Sequence, residues 1–148
     1  MVYDKNKILQ TVKKNEKSEI DCLKKLIGIP TCYNKNHDMK PVIVQLTEEF
    51  EKRGYRVKTF PTSGAPVVVA EMNRGKKKTL MFYNHYDVQP EEPLEEWKSP
   101  PYTLTIRNER LYGRGVKDNK GPFVANLFGV QAAFEAGHQP KCNIRFII

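Results

Sequence analysis

The residues best equipped for chemistry fall in two short segments. In Asn84-His85-Tyr86-Asp87-Val88-Gln89-Pro90, directly after an apolar run, the imidazole of His85 and the carboxylate of Asp87 stand two positions apart. In extended backbone that spacing sends both side chains to the same side. One ring nitrogen can then bind a metal ion while the carboxylate accepts a hydrogen bond from the other and fixes the tautomer. A His-x-Asp at a strand end serves equally well as a purely structural pair. In the second segment Gly113, Gly115 and Gly121 surround Asp118, Asn119 and Lys120, ahead of a strongly apolar helical run. Glycines let the backbone turn tightly near something bulky. The segment is not a dinucleotide fingerprint, because the place of its last glycine is taken by Asp118. It is not a phosphate loop either, because Gly121, not Ser or Thr, follows Lys120. Asp118 reads either as the cap of the next helix or as a metal ligand held in a glycine-rich turn.

The elements that must position these segments can be read from periodicity. Ile8, Leu9, Val12, Ile20, Leu23 and Ile27 predict a helix over 5–27, stopped by Gly28 and Pro30. Asp38 can cap a second helix over 39–53, with Pro41 in its first turn, an apolar face of Val42, Ile43, Leu46 and Phe50, and Gly54 at its end. The period then changes to two: strands are expected from 55, over 66–72 and over 79–84. The turn Asn73-Arg74-Gly75-Lys76 makes the last two a hairpin or sheet neighbours. Residues 87–101, with four prolines, are irregular. A short strand over 102–106 turns at Asn108-Glu109 and returns through Leu111. Helix 122–136 carries the stripe Phe123, Leu127, Val130 and Phe134, and a last strand spans 142–148. The expected fold is α/β: a mixed twisted sheet flanked by helices.

Composition narrows the function classes. The chain has 148 residues, 39% hydrophobic and 28% charged, enough for one domain with a core. Its longest apolar stretches fall far short of a membrane span. No secretory signal opens it, so a cytoplasmic location is expected. The net charge of +8 lies wholly in residues 1–78, where 17 bases face 9 acids; residues 79–148 hold 8 of each. Those bases are interleaved with acids and carry no aromatic-basic stripe, so no nucleic-acid partner is expected. Cys22, Cys32 and Cys142 are odd in number and show no Cys-x-x-Cys pair, which suggests neither a disulfide framework nor a thiolate zinc site. Cys22 and Cys142 read as small buried hydrophobes.

Together the two segments resemble the N-terminal part of the M20 metallopeptidases, whose catalytic domain has a zinc-exopeptidase-like fold. His85-Tyr86-Asp87-Val88-Gln89-Pro90, Trp97 with Pro100, and Leu111-Tyr112-Gly113-Arg114-Gly115 before Asp118-Asn119-Lys120-Gly121-Pro122 match the family in order and separation. The wording is most similar to the dipeptidase branch, the carnosinases and cytosolic non-specific dipeptidases. The resemblance implies that His85 binds one of two divalent ions, zinc or alternatively manganese, and that Asp118 bridges both. Asp87 takes the catalytic-site role of orienting His85, and the peptide after Asp118 is cis. Tyr86, Gln89 and Trp97 are expected as packing residues. The implied substrate is a dipeptide or short peptide, and the implied assembly of the full-length protein is a homodimer. The family's Glu-Glu pair, which supplies the general base and a further ligand, follows the last strand in the family and is not in this sequence. Neither are the later acidic and histidine ligands or the dimerisation domain. Residues 1–148 are therefore expected to be the incomplete N-terminal portion of a catalytic domain, or else a truncated, catalytically inactive α/β module.

Overall fold

Asp4 begins the first helix: its carboxylate accepts a hydrogen bond from the Lys7 N–H, one of the donors a helix start leaves unpaired. In the computed structural model, which describes residues 4–148, helix α1 runs over Lys5–Ile27 and buries Cys22, Leu23, Leu26 and Ile27 near its end. Helix α2 (Lys40–Glu51) has Pro41 in its first turn. Its cap position is Met39 rather than Asp38, although the Asp38 carboxylate accepts from the Lys40 N–H. After α2, Gly54 takes a φ of 79°, and the chain enters β1 (Arg56–Phe60), β2 (Val67–Met72) and β3 (Thr79–Tyr83). A separate two-stranded hairpin, β4 (Thr105–Arg107) and β5 (Arg110–Tyr112), turns on Asn108 and Glu109, both with positive φ. That pair of left-handed residues gives the turn a twist that matches the strands. Helix α3 (Lys120–Glu135) and strand β6 (Asn143–Ile147) complete the chain.

The sheet order is β1-β2-β6-β3. β1 with β2 and β2 with β6 are antiparallel, while β3 with β6 is parallel, so the sheet is mixed as expected. The expectation that β2 and β3 are neighbours is wrong. β6 lies between them, and the 73–78 connection is fastened to β6 instead. Asn143 Oδ1 accepts from the N–H groups of Arg74 and Lys76, and its Nδ2 donates to the Lys76 carbonyl. Parallel β3 and β6 need a long crossover, which contains α3.

The sheet contributes to the core from one face. Val68, Ala70, Met72, Ile144 and Phe146 join Leu26, Val42, Leu46, Phe50, Phe123, Val124 and Leu127 in a single buried cluster. Phe146 is its centre, in ring contact with Phe50, Tyr55, Phe82 and Phe123 at centroid separations of 4.7–6.3 Å. Each such side chain stabilises the fold by about 1.5–3 kcal/mol when removed from water. On α3, Phe123 and Leu127 are buried as expected, but Val130 and Phe134 are only partly so. The helix rolls towards Val124, Phe128 and Ala132, and the Arg74 guanidinium lies over the Phe134 ring. Cys22 is buried; Cys142, just before β6, is only partly covered.

Candidate metal centre

The segment after β3 stays extended and alternates. Asn84, Tyr86 and Val88 are buried, while His85 and Asp87 lie on the more open side. Backbone and side-chain bonds pin it from the buried side: Asn84 N–H to the Ile147 carbonyl, Val88 N–H to the Thr31 carbonyl, Thr31 Oγ1 to the Tyr86 carbonyl, and the Tyr86 hydroxyl to the Pro66 carbonyl. Tyr86 is thus a packing residue as expected. Trp97 also packs, with its indole N–H donating to the Glu91 carbonyl and Arg114 over its ring. Gln89 does not; the same alternation turns it to solvent.

The second segment is held by Lys120, whose position at the start of α3 is fully buried. Its ammonium donates to the carbonyls of Leu26 and Ile29 at 2.9 and 2.7 Å. These carbonyls lie in the last turn of α1 and just beyond its cap residue Gly28. Burial pushes the Lys120 ammonium down to about 7, against which the two carbonyls and the negative end of α1 favour the charged form. The chain reaches this position only through glycine. A Cβ on Gly121 would lie 1.9 Å from the Val116 carbonyl oxygen. One on Gly115, at φ 91°, would lie 2.9 Å from Val88.

This packing brings the sequence-predicted residues together at one end of the sheet, beyond the C-terminus of β3, where ligands of α/β sheets gather. His85 Nε2 is 3.0 Å from Asp118 Oδ1. His85 Nδ1 is 3.0 Å from the Asp87 carbonyl oxygen and 3.2 Å from Asp87 Oδ1. The Asp118–Asn119 peptide is cis. Asp118 does not cap α3: Asn119 occupies the cap position, without a side-chain capping bond. The Asp118 side chain is 70% exposed and that of His85 36%.

Two acceptors on Nδ1 call for its proton there, which leaves the Nε2 lone pair aimed at a carboxylate oxygen. Two lone pairs at 3.0 Å repel unless a proton or a cation lies between them. Their separation is less than the sum of two zinc–ligand bonds of about 2.0–2.2 Å, so one ion can bind both. His85 and Asp118 therefore fit a divalent ion, with Asp87 orienting the ring. They fit it in part: among the described residues no group of three or more His, Cys, Asp and Glu side chains could hold a metal. The polar residues around the pair, buried Asn84 and Lys120 and half-buried Asn119, have supporting roles that residue type and spacing did not reveal. Period-two parity offered a signal for Asn84, which shares the core-facing side of Phe82.

Residues 81–148 match the model of peptidase family M20/M25/M40. Over 94% of its length the chain is 28% identical to the Cys-Gly metallodipeptidase dug1 of Schizosaccharomyces pombe, covering 32% of that protein. Among solved structures it superposes on the M20 family metallo-carboxypeptidase Sso-CP2 from Sulfolobus solfataricus (TM-score 0.81, 37% identity, 87% of this chain and 30% of that one). It also superposes on human carnosine dipeptidase 1 (TM-score 0.83, 28% identity, 97% and 34%). The chain is similar to M20-type metallopeptidases and, among them, to the dipeptidase branch. It spans about a third of the length of these relatives.

Proposed function

We propose that the protein hydrolyses the amide bond of dipeptides or short peptides at a centre of two divalent ions, zinc or manganese, to which this chain contributes His85 and Asp118. The observation that carries the reading is the 3.0 Å approach of His85 Nε2 to Asp118 Oδ1, with Asp87 on the opposite ring nitrogen. His85 serves as ligand to one ion, Asp118 as the carboxylate shared by both, and Asp87 holds the ring in its Nδ1–H form. Bound, such ions polarise a scissile carbonyl and lower the pKa of a water. The chain's own residues fix where this happens. In this reading residues 1–148 are the N-terminal portion of the catalytic domain, the remaining ligands, the base and the dimerisation domain come from further sequence, and the full-length protein is a homodimer. Three free thiols support a reducing, cytoplasmic setting, and no described helix is long and apolar enough to cross a membrane.

The ligand count favours one alternative, a catalytically inactive module. A dipeptide hydrolysis assay with added zinc or manganese separates the two, run on the 148-residue chain and on the protein extended to the length of its relatives. The expected result is no turnover from the chain and metal-dependent turnover from the extended protein. Metal-dependent turnover by the chain alone would show that the catalytic residues are misplaced. An inactive extended protein that still binds metal would move the substrate to acyl-amino acids or another amide.

A further inference from the structure

Three carboxamides lie beside the His85–Asp118 pair and join the pieces that carry it. Asn119 Oδ1 accepts from Asn84 Nδ2 at 2.6 Å and from the His85 backbone N–H at 3.4 Å. Asn84 Oδ1 in turn accepts from Asn126 Nδ2 at 3.3 Å. The direction of this relay is not free. The His85 N–H can only donate, so Asn119 must turn its oxygen towards it. Asn84 must then present its NH2 group to Asn119, which leaves its oxygen for Asn126. Asn84 is 3% exposed, so water offers it no alternative partner. One backbone N–H thus sets a one-way chain across the end of β3, the loop bearing Asp118 and the second turn of α3.

From this geometry we infer that Asn84 and Asn119 are positioning residues of the metal centre: their directional amide pair locks the backbone of His85 to that of Asp118 and so sets the separation of the two ligand atoms. The inference rests on the reading that His85 and Asp118 hold an ion. Neither asparagine touches the ion; each acts through the residue beside it in sequence.

The test uses manganese(II) titrated into the 15N-labelled chain, where paramagnetic broadening of the His85 and Asp118 amide signals reports even weak occupancy. N119D and N84D add the same single charge to the same pair. N119D keeps an acceptor facing both Asn84 and His85. N84D sets a carboxylate against the Asn119 oxygen, and turning Asn119 over would set its NH2 group against the His85 N–H. The expected result is that N84D needs about tenfold more manganese than the unaltered chain for equal broadening, the lower end of the 10–100-fold loss typical when a ligand's partner is removed. N119D needs no more than the unaltered chain. Charge alone would treat the two variants alike, so equal broadening in both overturns the inference and leaves the metal reading standing. Absence of selective broadening in the unaltered chain overturns both. If N84D loses its dispersed amide spectrum, N119A and N119D carry the comparison: N119A must weaken binding where N119D does not, and equal behaviour overturns the inference.

Discussion

Two close pairs of ionisable side chains sit in different parts of this molecule. Arg53 and Glu49, one turn apart at the end of α2, approach to 2.7 Å with side chains only 13% and 8% exposed. Both carboxylate oxygens of Glu49 and two of the three guanidinium nitrogens of Arg53 are engaged. Arg53 also donates to the Glu49 carbonyl and to Gln131 and lies over the Phe128 ring, while Glu49 accepts from Gln45 and Lys52 as well. Burial pushes the Glu49 carboxyl up, but Arg53 and Lys52 outweigh it and hold it below its ordinary value. His85 and Asp118 are nearly as close, yet Asp118 is open to solvent and its carboxylate approaches one side chain among the described residues, that of His85. Distance does not separate a structural ion pair from a ligand pair. Spare coordination capacity does: both oxygens of the Glu49 carboxylate are engaged, whereas the Asp118 carboxylate has lone pairs left to give.

The contrast can be broken at either pair. The largest effect is expected from H85A and D118A in protein extended to the length of its relatives. Dipeptide turnover falls to background, while urea unfolding of either variant stays within about 0.5 kcal/mol of the unaltered protein, as for an exposed site. E49A reverses the pattern. It leaves Arg53 largely buried without its partner and costs about 3 kcal/mol in urea unfolding, with manganese broadening at His85 unchanged. Loss of broadening in E49A would show that the two regions are coupled. D87A sharpens the comparison from the side of the ring. Metal affinity drops about tenfold, the mild end of the range for a residue behind a ligand, because the Asp87 carbonyl still accepts from Nδ1; calorimetric titration of the extended protein measures it.

The smallest effect concerns a third pair, which steadies the loop after Asp87. Lys35 bonds to Glu91 and Glu92, and Tyr102 donates to Glu91. The Lys35 hydrogen bond, helped by Tyr102, lowers the Glu91 carboxyl to about 2 from its ordinary 4.5. A carboxyl lowered by folding stabilises the native state above its unfolded value, and that contribution is lost as pH falls from about 4.5 towards 2. K35A should therefore flatten the dependence of unfolding stability on pH across this window: the variant is less stable near neutrality, and the difference from the unaltered chain shrinks as pH falls towards 2 in urea unfolding followed against pH.

Periodicity made the three helices, the β-rich middle and the final strand legible, because each repeats an apolar side chain at its own period. It failed on adjacency. Asn73-Arg74-Gly75-Lys76 is a good turn by composition, but nothing local to it reveals that Asn143, some seventy residues on, ties that turn to an intervening strand. The partners of the site were legible for the same reason that its supports were not. His85, Asp87 and Asp118 stand out by residue type. Lys120 reads as one more solvated lysine until the fold closes the end of α1 over it, and Asn84 as an ordinary strand end until Asn119 meets it. Gln89 failed in the opposite sense: it belongs to the motif, but strand parity turns it outward.

β3 closes one side of the sheet, and among the described residues no strand lies beyond it. Leu80, Met81 and Tyr83 along it are 47%, 55% and 74% exposed. A strand with unpaired backbone groups and apolar side chains is a template for any extended segment that meets it. Lys76, Lys77 and Lys78 at its head supply mutual repulsion between molecules, but that repulsion acts over only about 8 Å at physiological ionic strength. The chain in solution is thus a colloid guarded at one border by three charges, and added salt lowers that guard: its self-association should rise with ionic strength, opposite to the behaviour of a particle held together by charge.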